Sequence, residues 1–98
     1  MEIRKTENFD RWFRALRDRD AVNHILSRID RMSAGNFGDV KPVGEGVSEL
    51  RIHTGAGYRV YFLQRGAMLV VLLAGGDKST QDKDIRMAIA LAVDYKGT

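Results

Sequence analysis

The residues best placed by type and spacing for chemistry lie in two short segments, Gly46-Val-Ser-Glu-Leu-Arg-Ile-His53 and Gly57-Tyr-Arg-Val-Tyr-Phe62, separated by Thr54-Gly-Ala56. Side chains of an extended strand alternate between faces, so Glu49, Arg51 and His53 fall on one side while Leu50 and Ile52 fall on the other. On the second segment Arg59 and Tyr61 alternate with Tyr58, Val60 and Phe62. The pair reads as a β-hairpin. If its polar rows share a face, two guanidiniums, an imidazole, a phenol and a carboxylate meet on one small patch, a set suited to holding and cutting a phosphodiester. Cutting one without a metal needs a base to activate the nucleophile, cations to hold the charged phosphorane, and an acid to protonate the leaving oxygen. An imidazole gives and takes protons near neutral pH, which makes His53 the candidate for proton transfer. Arg51 and Arg59 are clamps, because a guanidinium stays charged and forks onto two phosphate oxygens.

Each of these residues also has a plain structural reading. His53 can be an exposed strand histidine, and Arg59 can pair across the strands with Glu49. Tyr58 and Tyr61 suit strand packing. His24, among Val22 and Ile25, reads as structural. Gly75-Gly76 reads as a turn, since the spacing of a phosphate loop or dinucleotide fingerprint is absent. Lys78 and Lys83 can be solvated charges at the start of a helix.

The elements that must position the hairpin follow from periodicity. The chain has 98 residues, enough for one domain with a single core, expected to span residues 1–98. Residues 2–6 read as a short strand. Phe9, Trp12, Phe13 and Leu16 then recur at helical spacing, and Val22, Ile25, Leu26, Ile29 and Met32 do so again. Arg17 to Asp20 is the turn between them, with Asp18 the expected N-cap and Gly35 the stop of the second helix. Asn36 to Asp39 reads as loop, and Lys41 to Glu45 as a polar approach to the hairpin. The apolar run from Ala67 to Ala74 predicts a strand buried on both faces. Gly75 to Thr80 turns into a last helix with Ile85, Ala88, Ile89 and Ala92 on its stripe, started by Ser79 and Asp82 in the manner of a capping box. The expected fold class is α+β, in the order strand, two helices, three strands, helix, with about four mainly antiparallel strands.

No cysteine is present, which excludes a disulfide framework and thiolate metal sites and fits a reducing cytoplasm. The first residues lack the apolar core of a signal peptide, and the longest apolar run is far too short for a bilayer. A soluble cytoplasmic protein with no membrane partner is therefore expected. The net charge of +3 permits an acidic partner, but no block of the chain is polybasic. A nucleic-acid site must come from a few charges gathered by folding.

The order of elements, the motifs Glu49-Leu-Arg-Ile52 and Gly57-Tyr-Arg-Val-Tyr61, and Gly75-Gly-Asp-Lys-Ser-Thr-Gln81 within Leu72 to Ile85 together resemble the RelE/ParE toxin superfamily. Within it the chain is most similar to the HigB-like branch, the addiction-module killer or phage Gp49-like proteins, over nearly its whole length. The resemblance implies a type II toxin neutralised by a cognate antitoxin, usually a helix-turn-helix protein, in a toxin–antitoxin hetero-oligomer of the kind that stabilises plasmids. It further implies an endoribonuclease that inhibits translation by cutting mRNA on the ribosome without a metal or other cofactor. The ParE side of the superfamily poisons DNA gyrase instead, and an inactive binding module of the same fold is a further alternative.

By the same resemblance Arg59 matches the arginine beside the scissile phosphate. Arg51 and His53 take positions of catalytic or phosphate-binding basic residues, and Lys78 matches a further basic position. Arg51, Arg59, Lys78 and Lys83 are the expected RNA phosphate ligands, with Glu49 and Gln81 as orienting groups or base. Relatives with lysines on the second strand and a tyrosine on the last helix have no clean counterpart here. Glu49 and Asp84 fall near those places, and a carboxylate beside a phosphate site must be offset.

Overall fold

In the computed structural model, which describes residues 1–96, strand β1 (Glu2–Lys5) leads into helix α1 (Glu7–Ala15), and helix α2 (Arg19–Ser33) follows after a short turn. Thr6 starts α1. Its hydroxyl accepts the Phe9 N–H at 3.1 Å and donates to the Leu73 carbonyl at 2.7 Å, so one side chain caps the helix and ties it to the sheet. Asp18 caps α2 as expected, accepting the Ala21 N–H at 3.1 Å, and each such cap contributes about 1 kcal/mol. Gly35, at φ +90°, ends α2 with its N–H on the Met32 carbonyl.

Four further strands follow: β2 (Val40–Gly44), β3 (Val47–Ile52), β4 (Tyr58–Arg65) and β5 (Leu69–Gly76). A single 3₁₀ turn (Lys78–Thr80) then opens helix α3 (Gln81–Lys96). The sheet order is β1-β5-β4-β3-β2, with β1 parallel to β5 and the other pairs antiparallel. On one face, Phe9 of α1 and Ile25, Ile29 and Met32 of α2 pack on Leu50, Ile52, Val60, Phe62, Val70 and Leu72. On the other, Ala88 and Ala92 of α3 meet Val47, Tyr61, Leu63, Val71 and Leu73. Their short side chains let this helix lie close to the strands. The α+β architecture expected from periodicity is thus present, and β5 is buried on both faces between β1 and β4.

The structure differs from expectation at three places. Lys41 to Glu45, expected as an approach, largely forms strand β2, which makes the sheet five-stranded. Pro42 hid it, since proline cannot donate to a ladder; at the edge of a sheet that donor is not required. Gly75 and Gly76, expected as a turn, are the last residues of β5, paired with Val60 and Arg59. They are glycines because other side chains lie on them. A Cβ on Gly75 would stand 2.2 Å from Cε3 of Trp12, and one on Gly76 would stand 1.8 Å from Oδ2 of Asp84. Finally, Asp77 takes the capping role expected of Ser79 and Asp82. It accepts the Ser79 N–H at 2.8 Å and the Ser79 hydroxyl at 2.6 Å.

Candidate functional site

Register decides which hairpin groups meet. Glu49 stands opposite Tyr61 and Arg51 opposite Arg59, so both polar rows do share a face, the one covered by α3. Two guanidiniums directly opposite repel, and Glu49 offsets this. The carboxylate is 1% exposed, accepts Nη1 of Arg59 at 3.1 Å and Nε2 of Gln81 at 3.1 Å, and lies 3.6 Å from Nε of Arg51. A charge is kept out of water only when paired in this way. Arg59 is only 5% exposed and turned onto Glu49, whereas Arg51 remains about one-third exposed. The structural reading of Arg59 as a cross-strand partner of Glu49 is therefore realised. Gln81 brings the first turn of α3 onto the same carboxylate.

Tyr61 is fully buried beside this node, and its hydroxyl finds no hydrogen-bond partner among the described residues. Burial pushes its phenol pKa upward, with the negative charges of Glu49 and Asp84 adding and Arg59 opposing. It is a protonated packing group.

His53 lies apart from the node, just past the end of β3. Its imidazole is two-thirds exposed, and its Nε2 is 2.6 Å from Oδ2 of Asp39. Asp39 sits before β2, where its carbonyl accepts the Arg51 N–H at 3.0 Å. The hydrogen bond from His53 holds the Asp39 carboxyl below its ordinary value; burial opposes this, and the charges of Arg51, His53 and Arg28 add to it. An imidazole held by a carboxylate is an oriented proton carrier. Sequence reasoning missed Asp39, which lies in a loop with no periodic signal.

Arg28 was missed as well. It is 9% exposed, and its Nη1 donates to the Arg51 carbonyl at 2.8 Å while Nη2 donates to the carbonyls of Phe37 at 3.2 Å and Asp39 at 3.4 Å. One guanidinium thus fixes the backbone on both sides of the Asp39–His53 pair. Burial lowers its pKa, with the Arg31 charge adding and Asp39 opposing. A signal existed: position 28 falls on the buried stripe of α2 with Ala21, Ile25, Ile29 and Met32, where a lone basic residue must find internal acceptors.

At the hairpin turn the hydroxyl of Thr54 is hydrogen-bonded to His24, a structural tie from α2. Gly57 has φ +77°, and the Lys78 stem lies against it; a Cβ there would be 2.9 Å from Cγ and Cε of Lys78. Lys78 therefore reaches back over the turn that His53 enters. With Lys83, Arg86 and Asp82 it lines an open depression of about 380 Å³ on the start of α3. The expected residues thus divide into three groups: the buried node of Glu49, Arg59 and Gln81 with Arg51 at its rim, the exposed His53, and the basic start of α3 with Lys78 and Lys83. Among the described residues no cluster of His, Cys, Asp or Glu is able to hold a metal ion, and no helix is long and apolar enough to cross a membrane.

A five-stranded α+β fold with an exposed imidazole held by a carboxylate is the class that fold and site define. Residues 11–95 match the family of phage-derived Gp49-like proteins, and the chain belongs to that family, which is associated with RelE-like toxins of toxin–antitoxin systems. An uncharacterized protein of Haemophilus influenzae is 51% identical over 92 residues, covering 94% of this chain and 93% of its own. No solved structure matches the chain.

Proposed function

We propose that this protein is the toxin of a type II toxin–antitoxin module, of the HigB-like kind, and that it cleaves mRNA on the ribosome without a metal. The observation that carries the reading is the exposed His53 imidazole held at 2.6 Å by Asp39, a carboxyl that also feels the charge of Arg51. In the reaction His53 takes the proton of a 2′-hydroxyl. The 2′ oxygen then forms a bond to the adjacent phosphorus, the bond to the 5′ oxygen breaks, and the leaving oxygen takes a proton from solvent water, whose hydroxide is neutralised by the proton held on His53. Arg51 and Lys78 neutralise the phosphorane charge, and Lys83 holds a neighbouring RNA phosphate. Arg59 acts from behind, its charge shared with Glu49, and Gln81 keeps that carboxylate oriented. The substrate places the protein in the cytoplasm, with a helix-turn-helix antitoxin as its partner.

The test is a reconstituted translation system in which mRNA ends are mapped for the wild type, His53→Ala and Arg51→Ala. Codon-dependent cuts by the wild type and loss of cutting on a hundredfold scale in His53→Ala are expected, in keeping with removal of a general base. Intact mRNA with the wild type overturns the nuclease reading. Full cutting by His53→Ala overturns only the assignment of the proton carrier. Inhibition of gyrase supercoiling together with intact mRNA would replace the reading with topoisomerase poisoning.

A further inference from the structure

β1 ends at Lys5, and its last pairing is with Leu72, so the final residues of β5 have no strand on that side. There α1 and α3, which cover opposite faces of the sheet, approach each other and leave a groove of about 340 Å³. Trp12 lines it. The indole lies directly over Gly75 and is braced by Phe9, at 5.8 Å between ring centroids, and by Tyr58 at 6.5 Å. It is a fixed aromatic platform on a partly open surface. Exposed Met87 adds apolar lining from α3.

Two cations flank this platform. Arg11 and Lys83 are exposed and line the groove, and their side chains form no hydrogen bond or ion pair with any other described residue. Asp84 is the acidic group of the lining, and its carboxylate is engaged by the Thr80 hydroxyl at 2.5 Å. Lys83 also lines the depression that holds Lys78, Arg86 and Asp82, so it joins the basic residues beside the hairpin turn to the groove that Arg11 lines.

We propose that this groove is a nucleobase subsite for single-stranded RNA, in which one base stacks on Trp12 while the neighbouring phosphates pair with Lys83 and Arg11. Aromatic platforms set between backbone-neutralising cations bind single strands in this way, because every base has a π-face. The short apolar lining suits one planar ring. An amphipathic helix needs anchors over two or more turns, which this groove does not offer. The subsite extends the RNA reading given above and rests on it for the direction of the strand.

Trp12 is the only tryptophan of the chain, so its fluorescence reports the groove directly. The protein is titrated with an unstructured hexaribonucleotide, with an abasic strand of equal length, and with polyglutamate. Saturable quenching by the hexaribonucleotide alone is expected. Its affinity should fall with salt, and Arg11→Gln or Lys83→Gln should each reduce the slope of log K against log salt by about 0.7, the value for one phosphate on a single strand. Trp12→Leu, followed by anisotropy of a labelled strand, should bind about fivefold or more weakly. Absent or non-saturable quenching overturns the subsite, as does equal quenching by the abasic strand or by polyglutamate. Quenching without mRNA cleavage would leave the subsite and remove the nuclease reading; cleavage without quenching would do the reverse.

Discussion

Glu49 and Arg59 form a buried ion pair, Nη1 to Oε1 at 3.1 Å, on the face of the sheet that α3 covers. The same carboxylate accepts from Gln81 and neighbours Arg51, so it joins β3, β4 and α3 at one point. Removing it strands a buried guanidinium. Glu49→Ala is expected to lower unfolding free energy by about 3–5 kcal/mol, the usual cost of leaving one member of such a pair unpartnered. Replacing both members with apolar residues, Glu49→Leu with Arg59→Met, should recover most of that loss. Urea denaturation of the single and double variants measures both. A loss below about 1 kcal/mol in Glu49→Ala would show that the pair is not the junction of these elements.

Tyr61 gives the opposite expectation at the same node. Its hydroxyl is buried without a partner among the described residues, so deleting the oxygen removes a desolvated group and strands no hydrogen-bonding group there. Tyr61→Phe should be neutral or stabilising by up to about 1 kcal/mol. Because burial and nearby carboxylates raise this phenol, alkaline absorbance titration of the wild type should show one tyrosine that ionises only on unfolding. That late step should vanish in Tyr61→Phe.

The sequence carried the sheet's interior more clearly than its edges. Leu69 to Ala74 and the alternation around Glu49 and Arg51 are set by burial, and burial leaves a period that can be read. β2 left none, since Pro42 and Lys41 are edge residues and only Val43 of that strand packs against the core. The polar rows of the hairpin were legible as a shared face, but their division was not. Whether Arg59 faces a substrate or Glu49 depends on α3 closing over it through Gln81, a contact between residues 32 positions apart. Asp39 was invisible for a related reason. Its partnership with His53 spans a loop whose path is set by Arg28 and not by any local pattern.

Acid should reveal the Asp39–His53 contact. Asp39 titrates below its ordinary value of 3.8 in the folded protein, chiefly because His53 hydrogen-bonds its charged form. A carboxyl lowered by folding contributes stability that is present above the unfolded value and is lost as pH falls through the folded one. The wild type should therefore melt at a higher temperature than Asp39→Asn near pH 6, and the gap should close as pH drops below 3.8. Thermal melts across that range check the sign. A gap that stays constant with pH would mean that the contact contributes nothing through charge.

Arg28 provides the sharpest separation of positioning from mere stability. Its guanidinium reaches the carbonyls of Phe37, Asp39 and Arg51, and a lysine ammonium lacks the planar fork needed to span these acceptors. Arg28→Ala should cost about 1–3 kcal/mol, since the carbonyls of Phe37, Asp39 and Arg51 lose the guanidinium as a donor. Arg28→Lys should keep the charge and part of the stability but release the loop that carries Asp39. Two readouts distinguish these effects in protein that is still folded. By carbon-13 NMR the Asp39 carboxyl should titrate closer to its ordinary value in Arg28→Ala, because both a nearby positive charge and the geometry of its hydrogen bond to His53 are lost. In the translation assay Arg28→Lys should cut mRNA roughly tenfold or more slowly, as expected when a proton carrier is misaligned, while keeping its wild-type cleavage sites. An unshifted Asp39 titration with unchanged cleavage would reduce Arg28 to a packing residue that happens to lie under the pair.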